Sequence, residues 1–252
     1  MSGSTAPKNV LIVGATSAIA EQLARLYAAE GASLLLVGRN ETRLEQIATN
    51  LRVLGATDVS VHAMDIVSSP DIEAQFVRIV GSGAVIDHAF IAHGYLGDQG
   101  QSVTDPEELD RQIDINLRSI ARWMMAVRAI LLRQGHGTLV IFGSVAGDRG
   151  RRANYVYGAM KAAAATLIEG MAHEFAADGP RAIIVKIGPT DTPMTAGFEK
   201  KGLLWADAAR VARRIRKAAD GKAVIVYAPG FWRWIMLVIR HLPSAIFNRL
   251  SI

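Results

Sequence analysis

Seven short, almost wholly apolar segments alternate along the chain with longer segments whose apolar residues have helical spacing. A short apolar segment of this kind is typical of a strand covered on both faces, as in a parallel sheet. Strands that alternate with helices are most simply connected as one doubly wound sheet. The predicted strands are 10–13, 33–37, 59–63, 85–92, 138–142, 182–187 and 223–226; the longer predicted helices include 41–54, 70–80, 106–133 and 205–219. The predicted fold class is α/β, with a parallel sheet of about seven strands.

Composition supports a single domain and excludes some chemistry. Half of the 252 residues are hydrophobic, which suits one large domain with an ample core. There is no cysteine, so disulfide bonds and thiolate chemistry are excluded, and the six histidines lack metal-ligand spacing. Residues 1–9 lack the apolar region of a secretory signal, and no apolar run approaches the ~20 residues that span a bilayer. We expect a cytoplasmic protein with no metal and no nucleic-acid partner.

Residues 10–20 are predicted to form a strand, a tight turn and the start of a helix, and the turn begins at Gly14. Backbone N–H groups at such a helix start bind pyrophosphate. Ala18 and Ala20 stand where glycine is usual, and they permit the same close approach if their φ angles are negative. A purely structural turn is the alternative interpretation of this segment.

The ends of the other strands carry further candidate ligands for a dinucleotide. Arg39 stands at the end of the second strand, where an acidic residue would favour NAD(H), so the sequence predicts NADP(H), with NAD(H) as the second choice. A solvated surface arginine is the competing interpretation. Asp65 is a candidate acceptor for the adenine amino group. The predicted cofactor-binding residues are Gly14, Thr16, Ser17, Ala18, Ile19, Arg39, Asn40, Asp65, Ile66, Ala92, Gly94, Tyr157, Lys161, Gly188, Thr190 and Thr192.

Tyr157 and Lys161 stand four residues apart at the start of a long apolar helix, so their side chains share one face. A free phenol has a pKa of roughly 10, and a nearby cation lowers it, which makes proton transfer with an alcohol or carbonyl possible. The spacing alone is common. Ser144, thirteen residues earlier at the end of a strand, supplies a hydroxyl that can hold a substrate oxygen beside the phenol. Asn116, an amide inside a predicted helix, either kinks that helix or holds a water.

Two other groups near the strand ends need interpretation. Arg149, Arg151 and Arg152 precede the Tyr157 helix and form either a solvated cluster or a clamp for an anionic substrate group. His93 ends a strand, and a lone histidine in that place is more often packing or capping than catalytic.

Together these residues resemble the short-chain dehydrogenase/reductase family over residues 8 to about 228, which implies a Rossmann-type sheet. By that resemblance Asn116, Ser144, Tyr157 and Lys161 are the catalytic tetrad. It implies that Tyr157 protonates the substrate oxygen, Ser144 holds the carbonyl, Lys161 binds the nicotinamide ribose and lowers the Tyr157 pKa, and Asn116 anchors a water. The chain departs from the family pattern at Ala18, Ala20, Ala92, His93 and Ile187.

Residues 93–98, 147–158 and 221–252 also resemble a subfamily that reduces a 2-keto pentose on polyprenyl phosphate during cell-wall synthesis. Residues 229–252 form a basic, aromatic extension predicted to be amphipathic. Residues 200–252 contain 11 Lys/Arg and 2 Asp/Glu, which favours an anionic surface. We expect the extension to lie on the inner face of the cell membrane or, alternatively, to dock on a partner subunit of a homo-oligomer.

Two other functions remain open from the sequence. One is a soluble ketoreductase of the 3-oxoacyl-carrier-protein type, whose extension merely packs on a neighbouring subunit. The other is a regulatory protein that binds NADP(H) without turnover. The complete tetrad disfavours the regulator, and the basic, apolar extension disfavours the soluble reductase.

Overall fold

The computed structural model describes residues 7–81, 83–177, 179–199 and 202–250. Seven parallel strands form the main sheet in the order β3-β2-β1-β4-β5-β6-β9, which confirms the predicted α/β fold. A two-stranded pair, β7 with β8, lies beside it. The strands are β1 (Asn9–Val13), β2 (Ser33–Gly38), β3 (Asp58–Ala63), β4 (His88–Ile91), β5 (Thr138–Ser144), β6 (Arg181–Ile187), β7 (Thr190–Asp191), β8 (Ala206–Asp207) and β9 (Ile225–Ala228).

Helices cover both faces of the sheet because its central strands are apolar on both sides. In β1, Val10 and Ile12 belong to one buried cluster, while Leu11 and Val13 belong to the other. α1, α2 and α8 pack on the first side, and α3, α6 and α7 on the second. The helices are α1 (Ala18–Ala29), α2 (Glu41–Val53), α3 (Ile72–Val80), α4 (Gln99–Ser102), α5 (Pro106–Ile113), α6 (Ser119–Gln134), α7 (Tyr155–Phe175), α8 (Ala208–Ala219), α9 (Trp232–His241) and α10 (Ser244–Phe247).

Several predicted boundaries were wrong. The helix predicted over 106–133 is divided into α5 and α6 by a π-helical turn, Asp114–Arg118. The helix predicted over 205–219 starts only at Ala208, because the two residues before it pair with β7 and the Asp207 side chain caps the helix through the Arg210 N–H at 2.6 Å. The strand predicted over 85–92 is limited to β4, and the last strand is β9 rather than 223–226.

The extension after β9 packs one face of α9 against the domain and exposes the other. Trp232 and Met236 are buried and form a small apolar cluster with Val145, which follows β5. A Cβ atom at Gly188 would overlap the Trp232 indole, so the helix sits directly on the loop after β6. The exposed apolar residues of α9 are Trp234, Leu237 and Val238. Residues 251 and 252 of the predicted extension lie outside the described residues.

Arg149 fixes the end of α9 to the body of the domain. Its guanidinium donates to the carbonyl oxygens of Ile239 and Leu242, each at 2.6 Å. The same guanidinium lies 3.8 Å from the centre of the Phe247 ring in α10. Arg149 therefore holds the extension in place, and the structure does not bring this predicted substrate ligand to the cleft described below.

Candidate active site

A cleft of ≈ 790 Å³ opens at the carboxyl ends of the strands, where parallel α/β sheets bind ligands. It spans the point where the strand order reverses, between β1 and β4. Of the predicted cofactor-binding residues, all but Asp65 line this cleft: Gly14, Thr16, Ser17, Ala18, Ile19, Arg39, Asn40, Ile66, Ala92, Gly94, Tyr157, Lys161, Gly188, Thr190 and Thr192. The structure therefore gathers residues from five separate loops and from the start of α7 into one site.

The β1–α1 turn combines a glycine at positive φ with a helix start that no side chain caps. Gly14 has a φ of +81°, and a Cβ atom there would lie 2.8 Å from the backbone nitrogen of His93. Among the described residues only glycines have positive φ, so Ala18 and Ala20 fit this turn without strain. The Ser17 side chain does not cap α1, which leaves the N–H groups of its first turn available to an anion.

The end of β2 supplies a cation at the cleft. Arg39 is exposed and lines the cleft, while the Asn40 side chain accepts from the Arg43 N–H at 2.9 Å and caps α2. Asp65 instead accepts from the Val67 and Ser68 N–H groups at 2.9 and 3.1 Å. Burial raises the pKa of Asp65, but these hydrogen bonds outweigh it and hold the pKa below its usual value. Free N–H groups, a glycine turn and Arg39 together fit a dinucleotide cofactor.

Tyr157 and Ser144 are neighbours in the lining of the cleft. Ser144 ends β5, and its Oγ accepts from the Ala146 N–H at 3.1 Å. Burial raises the pKa of Tyr157 to about 12, although the hydrogen bond with Ser144 opposes the increase. The phenol is therefore protonated at neutral pH, which is the form that can donate a proton to a carbonyl oxygen.

Lys161 lies one helical turn after Tyr157 and is buried. Its Nζ donates to the Phe142 carbonyl oxygen at 3.2 Å and lies 5.6 Å from the centre of the Tyr157 ring. Burial lowers the pKa of Lys161 to about 8. We expected this cation to lower the Tyr157 pKa, but burial raises that pKa, and the group that opposes the increase is Ser144 rather than Lys161.

Asn116 lies in the π-helical turn, fully buried behind the cleft rather than in its lining. Its Oδ1 accepts from the Tyr95 N–H at 3.0 Å, and its Nδ2 donates to the Tyr95 carbonyl oxygen at 2.7 Å. A Cβ atom at Gly94 would lie 3.2 Å from Lys161 Nζ and 3.3 Å from Asn116 Oδ1. The amide thus holds the chain after β4 next to Lys161, a role that the sequence did not predict.

His93 is buried and neutral. Ser119 Oγ donates to the Ile66 carbonyl oxygen at 2.6 Å, so the His93 Nε2 at 2.9 Å is the donor to Ser119. Burial, with help from Lys161 and Arg39, lowers the pKa of His93 to about 3. His93 also lines the cleft, and its buried Nδ1 has no hydrogen-bond partner, so its interpretation as a packing residue stays a prediction. Within the described ranges, no group of three His, Asp or Glu side chains could hold a metal ion.

The structure separates the three predicted substrate-binding arginines. Arg151 lines the cleft, and its buried Nε has no hydrogen-bond partner. Arg149 holds the extension, and Arg152 is exposed outside the lining. Burial lowers the pKa of Arg151, against the attraction of Asp148. Only Arg151 is therefore placed to meet a ligand in the cleft.

Three amide side chains in the lining were not predicted from the sequence: Gln99, Gln112 and Asn154. The available signals were weak. Gln112 stands one helical turn before Asn116, and Asn154 lies just before the helix of Tyr157. These amides differ from ordinary surface amides only in their burial. That burial depends on how α4 and α5 pack against α7, which the sequence does not show.

The model of the family described as short chain dehydrogenase matches residues 8–202. An uncharacterized oxidoreductase of Streptomyces coelicolor is 31% identical over 98% of this chain and 97% of its own length. Another from Mycobacterium tuberculosis is 32% identical over 96% of both chains.

Solved structures support the same relationship. A short-chain dehydrogenase from Sphingobium yanoikuyae in complex with NADPH covers 94% of this chain and 97% of its own, with a TM-score of 0.79 at 24% identity, and so shares its fold. A Shigella flexneri short-chain dehydrogenase complexed with NADP covers 87% of this chain and 95% of its own, with a TM-score of 0.78 at 25% identity. The chain belongs to the short-chain dehydrogenase family and is an NAD(P)-dependent oxidoreductase.

Proposed function

We propose that the protein reduces a ketone with Tyr157 as the general acid, and the observation that carries this proposal is the protonated phenol beside Ser144 in the cleft. When bound, the reduced nicotinamide supplies the hydride. Ser144 orients the carbonyl oxygen, and Tyr157 transfers its proton to that oxygen. Lys161 places a buried positive charge beneath the site, which attracts the negative charge that develops on the oxygen.

NADP(H) is the proposed cofactor. Arg39 is the exposed cation that the cleft presents at the end of β2, where the family binds the adenosine ribose. A guanidinium matches phosphate geometry in two parallel hydrogen bonds. The Sphingobium and Shigella structures, which contain NADPH and NADP, support this choice.

The proposed substrate is a 2-keto pentose on polyprenyl phosphate, as in the decaprenylphosphoryl-2-keto-ribose reductases that the sequence resembles. Arg151 supports it, because this half-buried cation lines the cleft with a buried, unpartnered Nε. Asp148 attracts Arg151 but is already ion-paired with Lys186 and accepts from the Tyr227 hydroxyl at 2.8 Å. The guanidinium is therefore available to the phosphodiester of the substrate.

We also propose that residues 229–252 bind the surface of the membrane that contains such a substrate. No helix in the described part of the chain is both long and apolar enough to cross a bilayer. α9 instead buries Trp232 and Met236 and exposes Trp234, Leu237 and Val238, the pattern of a helix at the headgroup boundary. Arg233 and Arg240 lie in the same helix and favour anionic lipid. The alternative is that this exposed face contacts a second subunit.

Oxidation of NADPH by the purified protein tests the reaction and the substrate together. We expect turnover with a polyprenyl-phosphoryl keto-pentose in detergent, at a kcat/KM well above those of a 3-oxoacyl thioester and of simple ketones. A higher kcat/KM for the thioester would establish the soluble ketoreductase instead. Tight binding of NADPH, without its oxidation in the presence of any of these substrates, would establish the regulatory protein.

A further inference from the structure

Two glutamine side chains line the cleft near the start of the Tyr157 helix, and their neighbours fix which way each amide points. Gln99 Oε1 accepts from the Val156 N–H at 3.1 Å, so its Nε2 is the atom left over. That Nε2 is buried and has no partner. Because exchanging the two amide atoms would place an N–H group against the Val156 N–H, Gln99 presents a donor.

Gln112 is the complementary case. Its Nε2 donates to Ser102 Oγ at 2.8 Å, and Ser102 in turn donates to the Asp98 carbonyl oxygen at 2.6 Å. The hydroxyl proton of Ser102 is used in the bond to Asp98, so Gln112 must be the donor in the bond to Ser102 Oγ. The remaining Gln112 Oε1 is an acceptor without a partner, in a residue only 1% exposed. Gln112 therefore presents a buried acceptor.

Asn154 adds a second acceptor at the same place. It lies immediately before α7, lines the cleft, and leaves its buried Oδ1 without a partner. Buried polar atoms cost roughly 1–3 kcal/mol each when they are left unpaired, so three such atoms on residues that line one cleft indicate a polar ligand. An apolar ketone would leave all three unsatisfied.

We propose that Gln99, Gln112 and Asn154 bind hydroxyl groups of the substrate and determine its specificity for a polyhydroxylated ketone. A hydroxyl group is both donor and acceptor, so it can accept from Gln99 and donate to Gln112 or Asn154. This inference rests on the proposed function, which it deepens by naming the residues that recognise the sugar ring. It concerns the ring hydroxyls alone and does not depend on Arg151 or on the membrane.

Gln99→Glu and Gln112→Met test the inference on two neutral cyclic ketones. One is a keto-pentofuranoside, and the other is the same five-membered cyclic ketone without hydroxyl groups. Gln99→Glu keeps the acceptor for the Val156 N–H, and a carboxylate is favourable at a helix start, but the donor is lost. Gln112→Met keeps the approximate volume and removes the acceptor, together with the Nε2 donor to Ser102, whose loss should affect both ketones equally. Gln101→Glu is the control, because Gln101 lies in the same short helix with its side chain exposed.

We expect each Gln99 and Gln112 variant to lower kcat/KM for the hydroxylated ketone by roughly 10- to 100-fold more than for the hydroxyl-free ketone. NADPH affinity and melting temperature identify any variant that is misfolded. Equal losses on both ketones, or no loss on either, would overturn the inference and leave the amides a structural or water-binding role. A wild-type protein that prefers the hydroxyl-free ketone would instead overturn the proposed function, whatever the variants do.

Discussion

Burial sets the protonation of the two reactive side chains in the cleft. It raises the pKa of Tyr157 to about 12 and lowers that of Lys161 to about 8. Both shifts favour the neutral form, as expected for groups removed from water. At neutral pH the phenol therefore holds its proton, while the lysine is still charged but close to its titration. This combination suits an acid that acts on a carbonyl.

Replacing Tyr157 with Phe should lower the rate of ketone reduction by roughly 100- to 10,000-fold, because only the transferable proton is deleted. NADPH binding, followed by fluorescence, should stay within a few-fold of wild type. Tyr155→Phe is a matched control, since Tyr155 lies in the same helix turn with an exposed side chain. A Tyr157→Phe protein that retains most of its activity would show that another residue is the acid.

Replacing Lys161 with Met should stabilise the fold most below pH 8. The buried lysine has a pKa of about 8 against 10.5 for the exposed group, so the folded state binds the proton less tightly than the unfolded state. Lys161 therefore lowers the free energy of unfolding of the wild-type protein by its full amount below pH 8, and this destabilisation disappears as the pH rises through 10.5. It is roughly 3 kcal/mol at pH 7, at about 1.4 kcal/mol per pKa unit.

Urea denaturation of both proteins at pH 7 and pH 9.5 measures this effect. We expect the unfolding free energy of Lys161→Met to exceed that of wild type by less at pH 9.5 than at pH 7. The decrease of this free-energy difference between pH 7 and pH 9.5 is the diagnostic result, because the loss of the hydrogen bond to Phe142 affects both measurements equally. A difference that stays constant or widens with pH would show that Lys161 is not desolvated.

Periodicity and strand apolarity predicted the elements of the sheet and the loops that meet at the cleft. The Tyr157, Lys161 and Ser144 side chains lie together because their positions follow from the ends of β5 and the start of α7. The π-helical turn at Asn116 and the short β7–β8 pair were not predictable, since both depend on contacts distant in sequence. The same holds for Gln99, whose amide is oriented by Val156, and for Arg149, which is held by α9.

The turn from β2 into α2 selects the cofactor in our proposal. Gly38→Asp with Arg39→Ala should lower kcat/KM for NADPH relative to NADH by roughly 10- to 100-fold, because it adds an acceptor for ribose hydroxyls and removes the phosphate partner. Position 38 can take a Cβ atom, since the nearest atoms that it would meet belong to the Leu44 side chain, at 3.6 Å or more. Arg39→Lys, which keeps the charge, should still favour NADPH. A wild-type protein that prefers NADH would contradict the assignment.

At the scale of the whole molecule, the extension is part of the domain that carries the active site. Trp232 and Met236 pack against Val145, and Arg149 bonds the end of α9. Removing residues 230–252 would therefore expose the apolar cluster and disturb the loop after β5. Substitutions on the outer face of α9 separate membrane binding from this structural role.

Changing Trp234, Leu237 and Val238 together to Gln should abolish co-sedimentation with anionic phospholipid vesicles at low salt. These side chains are exposed and apolar, and their burial in lipid is the expected source of affinity. The control changes Val53, Val77 and Val103 to Gln, three exposed valines outside the extension. It should sediment with vesicles as wild type does.

Wild-type protein that remains in the supernatant at low salt would contradict membrane binding. The mass of the triple variant in solution then decides the alternative. A change from oligomer to monomer would show that this face of α9 contacts a second subunit. Binding of the wild-type protein to anionic vesicles that weakens as salt is added would agree with a contribution from Arg233 and Arg240.

Glycine at position 188 satisfies two neighbours at once, since it lines the cleft on one side and meets the Trp232 indole on the other. A lineage descended from this chain that acquires a side chain at 188 must lose or shrink the tryptophan. A lineage that loses the extension removes that constraint from the glycine. Among related proteins, positions 188 and 232 should therefore change together. A chain that keeps both Gly188 and Trp232 should also keep the extension packed on the loop after β6.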